Sequence, residues 1–413
     1  MKIIADFHIH SKYSRATSPS TDLENLDKWA QIKGVNVLGT GDFTHPVWLK
    51  ELKEGLGPVE PGLFRLRNSD SPTRFVLTSE ISCIYTKNGK VRKVHIVILA
   101  PSFNVVEKIN TKLNSIGNLK SDGRPILGLD VKELAKIVLD ADESCMVIPA
   151  HVWTPWFAVF GSKSGFDSLE ECFEDYTKYI YAVETGLSSD PAINWKLSQL
   201  DKITLISNSD AHSPKKIGRE ANVFNTDLNY YAIMEAIKTK NNFLYTIEFF
   251  PEEGKYHYDG HRLCNISLTP AESKKYNNIC PKCKRPLTIG VLNRVEEVAD
   301  RPNGFIPENS IPYKSLIPLE EIISDVIGVG VASKKVQVLY NNLIKNLGNE
   351  FSILLDLGMD DIKKNSSLEI AEGIIKVRNG EIKIIPGYDG VYGKIKILNK
   401  KIDKGVDKQN ILL

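Results

Sequence analysis

At 413 residues the chain is too long for one ordinary core, and two or three domains are expected. Its 42% hydrophobic and 25% charged residues suit a soluble globular protein, and no apolar run nears the roughly 20 residues that a membrane helix needs. The N-terminus lacks a signal-peptide pattern, so a cytosolic protein with no membrane partner is expected.

Residues 1–247 alternate short apolar runs with amphipathic segments. Strands are predicted at Lys2–Asp6, Val35–Gly39, Phe75–Ile81, Val94–Leu99, Met146–Pro149, Tyr181–Glu184 and Ile203–Ser207. Helices are predicted at Leu23–Lys33, Val131–Leu139 and Tyr230–Lys238. Seven such alternations predict an α/β barrel over residues 1–249. Asn114–Asp122 with Gly123-Arg124-Pro125 is turn-rich and reads as a surface loop. Pro251-Glu252-Glu253-Gly254 opens a small cysteine-bearing module over residues 250–305, closed by Arg301-Pro302-Asn303-Gly304 and Pro307. Residues 306–413 read as a mainly helical domain, helical from Leu319 to about Ile362, with a small β element near Ile374–Ile397 and frayed final residues. The net charge of +2 is unevenly placed: residues 254–413 carry 24 Lys and Arg against 19 Asp and Glu, and the remainder 29 against 32. A basic C-terminal part beside an acidic one fits a phosphate-rich partner.

The chemically loaded residues follow the strands: His8, Asp42, Glu80, His151, Glu184 and Asp210. Ligands at C-terminal strand ends are the barrel arrangement. Alternate residues of a strand share a side, so His8 and His10 can face one centre, and Asp210 and His212 can do the same from another strand end. Imidazole and carboxylate together suit Zn²⁺, Mn²⁺ or Fe ions, and a carboxylate such as Glu80 can bridge two of them. Paired ions stabilise the attacking and leaving oxygens of a phosphoester displacement, so the residues favour a polynuclear metal hydrolase.

His261-x₂-Cys264-x₁₅-Cys280-x₂-Cys283 has the spacing of a structural zinc site, with His257 as the rival nitrogen ligand. Such a closed site stabilises a small fold and could orient Lys282, Lys284, Arg285 and Arg294 toward DNA. Cys83, Cys145 and Cys172 read as buried spectators. The run Val326–Val336 resembles a helix-hairpin-helix turn, in which Gly328 and Gly330 let backbone N–H groups approach a DNA phosphate while Lys334 and Lys335 add charge. Pro386–Lys394 forms a tight aromatic turn. Gln409-x₂-Leu412 faintly suggests a sliding-clamp motif without its aromatic pair.

His-Ile-His-Ser at 8–11, Thr-Gly-Asp at 40–42, Glu80, His151 and Ser-Asp-Ala-His at 209–212 resemble the polymerase and histidinol phosphatase (PHP) domain. That resemblance implies a distorted (β/α)₇ barrel that binds up to three divalent metals (Zn²⁺, Mg²⁺ or Mn²⁺) and hydrolyses phosphoesters. It implies one metal on His8, His10, Glu80 and Asp210, a neighbour on Glu80, His95 and His151, and His212 completing the cluster. The usual Thr-Asp-His reads Gly41-Asp42-Phe43 here, so Asp42 is expected to supply that ligand, with His45 in reserve. The runs at 6–18, 39–46 and 150–156, with the cysteine module, are further similar to the endonuclease Q family of archaea and bacteria. That resemblance implies a nucleoid-associated DNA repair endonuclease that flips its target base and cuts on the 5′ side of hypoxanthine, uracil, xanthine and abasic sites. Attack by a metal-activated hydroxide, with Asp210 and His212 foremost among the catalytic residues, would leave 3′-hydroxyl and 5′-phosphate ends. Trp153, Trp156 and Phe157 are candidates for lesion-pocket walls or a wedge, and the Ser121–Arg124 loop for backbone donors to a base carbonyl. The rival readings are a small-molecule phosphoesterase and a DNA-binding scaffold with an inactive barrel.

Overall fold

The computed structural model describes residues 1–397, so the Gln409–Leu412 motif and the terminal residues expected to fray lie outside the described residues. Strands form at all seven places where apolar runs predict them: β1 (Lys2–Asp6), β2 (Val37–Gly39), β3 (Arg74–Lys87), β4 (Lys90–Ala100), β5 (Met146–Pro149), β6 (Ala182–Glu184) and β7 (Thr204–Ile206). β1, β2 and β3 run parallel, β3 and β4 form an antiparallel hairpin, β4 pairs antiparallel with β5, and β6 lies parallel to β7. Backbone contacts complete the ring, with Val152 N–H donating to the Glu184 carbonyl at 3.0 Å and His10 N–H to that of Ala211 at 3.0 Å.

Alternation along the strands sorts their side chains into two layers. Ile3, Ala5, Val76, Val97 and Ile148 belong to an inner cluster, closed at one end by the helix Tyr230–Thr239. Ile4, Phe75, Leu77, Ile98 and Val147 pack outward against helices such as Leu23–Lys33 and Val131–Ala141. Glu80 and His95 lie on the inner face, in register with Val76 and Val97, which puts them at the mouth of the ring.

The barrel departs from a regular strand–helix alternation. β4 turns back directly from β3 because Asn88 (φ 54°) and Gly89 (φ 71°) both adopt the left-handed conformation of a two-residue hairpin. Two further strands, β8 (Ala221–Asn225) and β9 (Phe243–Glu248), extend the sheet antiparallel beyond β1.

The cysteine module is built on the hairpin β10 (Asp259–His261) and β11 (Ile266–Leu268), with the helix Val291–Val298 behind it. Arg294 does not face outward as expected. It is buried, donates to the carbonyls of Phe160 and Phe166, and pairs with Asp167 and Glu297, so it fastens the module to the barrel. Residues beyond 306 are not purely helical, because β12 (Tyr313–Ser315) first joins β9 in the barrel sheet. Helices follow at Leu319–Ile327, Lys334–Leu347, Met359–Asn365 and Leu368–Arg378, extending past the expected limit, and the β element is a hairpin of β13 (Lys383–Ile385) with β14 (Lys394–Lys396). The Pro386–Lys394 turn packs on the module, where the Asp389 carboxylate accepts from Arg262 N–H and the Thr288 hydroxyl.

A buried ion pair joins the barrel to these helices. Lys33 Nζ lies 2.6 Å from Glu350, whose carboxylate also accepts from Tyr340 Oη and Leu319 N–H. Removing one partner strands the other charge in a dry site. Lys33→Met should therefore lower stability by about 3 kcal/mol in urea unfolding; an unchanged midpoint and slope would show that the pair contributes nothing.

Candidate metal centre

Single atoms of His8, His10, Glu80 and Asp210 lie within 4.8 Å of one another, and so do those of Glu80, His95 and His151. Glu80 belongs to both groups. Its Oε2 faces His8 Nε2 (3.5 Å), His10 Nε2 (3.2 Å) and Arg124 Nη1 (3.0 Å), while Oε1 faces His95 Nδ1 (2.7 Å) and His151 Nε2 (3.2 Å). Asp210 Oδ1 closes the first group, 3.1 Å from His10 Nε2 and 3.6 Å from His8 Nε2.

Behind these ligand atoms stands a second set of side chains that fixes their orientation. Glu184 faces His8 Nδ1 at 3.0 Å, and Asp42 faces His10 Nδ1 at 3.0 Å. An ionised carboxylate only accepts, so each Nδ1 carries a proton and each Nε2 faces the cluster, where it offers a lone pair once its own proton is displaced. Glu184 in turn accepts from His151 N–H and from Asn208 Nδ2, which ties three ring segments to one carboxylate. The 209–212 loop is held by Asp6, which accepts from Ser209 N–H, Ser209 Oγ and Gly218 N–H. Burial pushes the Asp6 carboxyl up to about 6 against the pull of these donors.

The local backbone is strained at the points where it delivers these groups. Asp42 (φ 51°), His151 (φ 30°) and Asp210 (φ 47°) are left-handed in the loops leaving β2, β5 and β7. Each such residue costs about 1–3 kcal/mol and is held by its surroundings. Gly123 has no side chain for a related reason: a Cβ there would meet Asp42 Oδ2 at 2.3 Å and Ser14 Oγ at 2.4 Å.

Several predicted residues stand elsewhere than expected. Asp42 is not a member of either ligand group. Its Oδ1 faces His10, and its Oδ2 accepts from Ser11 N–H, Ser11 Oγ and Ser14 Oγ, so both oxygens are occupied and Asp42 stands behind His10. His45 is also outside, accepting from Trp48 N–H as the cap of the helix Pro46–Gly55 and stacking on Tyr13. His212 lies at the rim, its ring 4.5 Å from that of His10 and its Nδ1 donating to the Asp210 carbonyl at 2.8 Å. Trp153 is fully buried, with its indole N–H on Asn194 Oδ1, and forms core instead of pocket wall. Trp156 is half exposed, and Phe157 packs its ring against His95. In the Ser121–Arg124 loop the Gly123 and Arg124 N–H groups are consumed by the Tyr13 carbonyl and Asp122, so the side chain of Arg124, not the backbone, reaches the centre. The roles of Glu184, Asn208 and Asp6 were missed; Glu184 stands at a strand end, but nothing in its neighbours tells a ligand from the group behind one.

The donor set fits divalent cations. His8 Nε2, His10 Nε2 and Asp210 Oδ1 are buried yet have no hydrogen-bond partner among the described residues, and a cation satisfies all three at once. Burial disfavours charge on His8 and His10, but the surrounding carboxylates (Glu184, Glu80 and Asp210 around His8; Asp42, Asp210 and Glu80 around His10) outweigh it and hold both well above 6.5. Burial dominates at His95, which is pulled down to about 4 and stays neutral. His261, Cys264, Cys280 and Cys283 form a third convergent group, with His261 Nδ1 3.8 Å from Cys283 Sγ. His257 is excluded from it, buried and stacked on Tyr258. Although desolvation opposes the thiolate of Cys280, the backbone N–H groups of Cys283 and Lys282 aim at its sulfur and hold the thiol below its ordinary value, which favours a metal-ready sulfur.

Comparison with known proteins places this geometry. A solved structure of the lesion-specific endonuclease PfuEndoQ from Pyrococcus furiosus matches with a TM-score of 0.86 and 32% identity, over 97% of this chain and 98% of that one. The chain belongs to the endonuclease Q family. Endonuclease Q proteins are metal-dependent DNA endonucleases. Another solved endonuclease Q, in complex with a 27-mer duplex substrate bearing an abasic lesion at the active site, matches with a TM-score of 0.84 and 33% identity, over 98% of this chain and 99% of that one. Residues 318–381 match the family described as the MJ0043 C-terminal domain. The Methanocaldococcus jannaschii protein MJ0043 is 38% identical over 61% of this chain, a span of only 32% of that protein's length. YqxK of Bacillus subtilis is 28% identical over 96% of this chain and 99% of its own. No helix among the described residues is long and apolar enough to cross a membrane.

Two measurements check this account of the family site. Asp42→Asn should weaken metal binding about 10–100-fold while leaving the number of ions at saturation unchanged, because it removes an orienting group; loss of a whole equivalent in metal analysis would make Asp42 a ligand. Metal binding must also displace protons from His8 and His10, whose raised values mean that affinity falls as pH drops through a point above 6.5. Titration calorimetry in buffers of different ionisation enthalpy should register proton release near neutral pH; release confined below 6.5 would contradict it.

Proposed function

We propose that this chain incises DNA on the 5′ side of deaminated bases (hypoxanthine, uracil, xanthine) and of abasic sites. The observation that carries the reading is the pair of convergent groups meeting on Glu80, in a chain whose family match covers 97% of its length. His8, His10, Glu80 and Asp210 would hold one divalent ion, and Glu80, His95 and His151 a second. His212 closes the open side: its Nδ1 is committed to a carbonyl, which leaves the Nε2 lone pair free. His261, Cys264, Cys280 and Cys283 would hold a structural zinc.

Divalent ions held there would supply positive charge to the reacting phosphodiester and lower the pKa of a bound water. The protein's own groups then hold the substrate in place. Arg124 uses one donor on Glu80 and is about a quarter exposed, so its remaining N–H groups meet a phosphodiester entering the cluster. The target nucleotide must leave the duplex to reach a centre this buried. On the helical domain, Gly328, Val329 and Gly330 are exposed between two helices, with Lys334 and Lys335 exposed at the Ser333-capped start of the second. That arrangement suits a sequence-independent grip on backbone phosphates away from the cut.

Oligonucleotides with single hypoxanthine, uracil, xanthine or abasic lesions, mapped at nucleotide resolution, test the reading. Wild-type protein should cut 5′ to the lesion, leaving 3′-hydroxyl ends. Asp210→Ala should lose more than the roughly 10–100-fold expected of an orienting group. Cutting at the wild-type rate by Asp210→Ala would remove the centre from the reaction.

A further inference from the structure

β3 does not stop at the metal centre. Seven residues continue past Glu80 to Lys87, about 20 Å of strand at ~3.3 Å per residue, and β4 returns beside them. The two strands form a wall standing on the catalytic face. Lys93 is two residues before His95 and therefore points to the same side of that wall. The loop that follows His151 runs along its edge: His95 N–H donates to the Phe157 carbonyl at 3.0 Å and Lys93 N–H to that of Ser164 at 3.3 Å.

Between wall and loop lies an open groove of about 870 Å³. Lys90, Lys93 and Lys163 line it, and none of their ammonium groups has a carboxylate partner among the described residues. Lys93 Nζ sits 4.8 Å above the ring of Trp156 and 5.4 Å from that of Phe157, whose other side packs on His95. Trp156 is 50% exposed, the only tryptophan among the described residues that large and that open. The opposite wall carries Asp167 and Glu297, which share the single charge of Arg294, and Glu171; against these three carboxylates the lining sets five cations, Lys90, Arg92, Lys93, Lys163 and Arg294. The excess charge in the groove is thus positive and lies beside an open aromatic face that leads to His95.

We propose that this groove is the track for the unpaired stretch of the cut strand beside the lesion, with Trp156 stacking a base and Lys93, flanked by Lys90 and Lys163, holding the adjoining phosphates. The inference rests on the endonuclease reading above and adds a place for the DNA that the ligand cluster does not provide. The two-residue step from His95 to Lys93, about 7 Å, is of the order of one phosphate-to-phosphate step along an unpaired strand. Stacking on an indole needs a free base face, which a paired duplex withholds, so the occupant is single-stranded at that point.

The test uses a labelled duplex with one abasic-site analogue. Binding is followed by anisotropy in calcium across a salt series, and incision of the same duplex is followed in magnesium or manganese. Lys93→Ala should lower the slope of log affinity against log salt by about one. Trp156→Ala should weaken binding about tenfold at every salt concentration with the slope unchanged, and Trp156→Phe should restore most of it. Lys202→Ala, an exposed lysine just before β7 at the far end of the barrel, should behave as wild type. Affinities within twofold and equal slopes for Lys93→Ala and Trp156→Ala, in a preparation whose wild type binds and cuts, would overturn the track and leave the endonuclease reading standing. A wild type that neither binds nor cuts would overturn both.

Discussion

A single carboxylate, fully buried and shared in two directions, organises this molecule. Glu80 offers one oxygen to His8, His10 and Arg124 and the other to His95 and His151. Burial raises the cost of its charge, yet the groups of His95, Arg124 and His8 outweigh that cost and hold it well below the ordinary carboxylate range. Every segment that brings a partner to Glu80 must therefore arrive within a few tenths of an ångström. The ring of strands is what makes that tolerance achievable, because His8, His10 and His151 follow strand ends and His95 lies within β4, all positions fixed by backbone pairing, and Arg124 alone reaches in from a loop.

Holding so many polar groups in a dry site works against stability, and the fold offsets this locally. His8 and His10, which lack a partner on Nε2, each have one on Nδ1, so only the atom facing the cluster stays unsatisfied. The left-handed residues Asp42, His151 and Asp210 lie in the same loops as these hydrogen bonds. Strain and constraint thus sit side by side, which is how a backbone conformation of high energy persists. The buried Lys33–Glu350 pair and Arg294 do comparable work at the borders of the barrel, each anchoring a later segment to it.

Much of the fold was legible because most strands are short, apolar and separated by clear breaks; all seven were located, although β3 and β4 run six and four residues past the expected ends toward their shared turn. The Asn88-Gly89 pair carried a hairpin signal between two apolar runs, yet the reading favoured a parallel barrel. β8 and β9 escaped because polar residues such as Asn222, Asn225, Thr246 and Glu248 interrupt them; Asn222 and Glu248 are spent inside the barrel on hydrogen bonds that periodicity does not reveal. β12 was hidden because three residues flanked by Pro312 and Leu316 carry no period. In the site, spacing found the atoms that converge. It could not separate Asp42 from a ligand, because a carboxylate behind an imidazole and a carboxylate in front of it look alike in one dimension.

The seam between Ile9 and Ala211 has a bearing on how the protein comes into being. It pairs residues about two hundred positions apart, and Phe7 N–H to Asn208 Oδ1 and Ser209 N–H to Asp6 Oδ1 cross the same gap. On a ribosome, His8 and His10 emerge first and wait for Asp210 while nearly the whole barrel is made. Contacts of such separation form late and slowly, since the loop they close must be ordered before they contribute. During that interval His8, His10 and Glu80 lack the Asp210 oxygen that completes their group. That group is complete only once the ring that encloses it has closed.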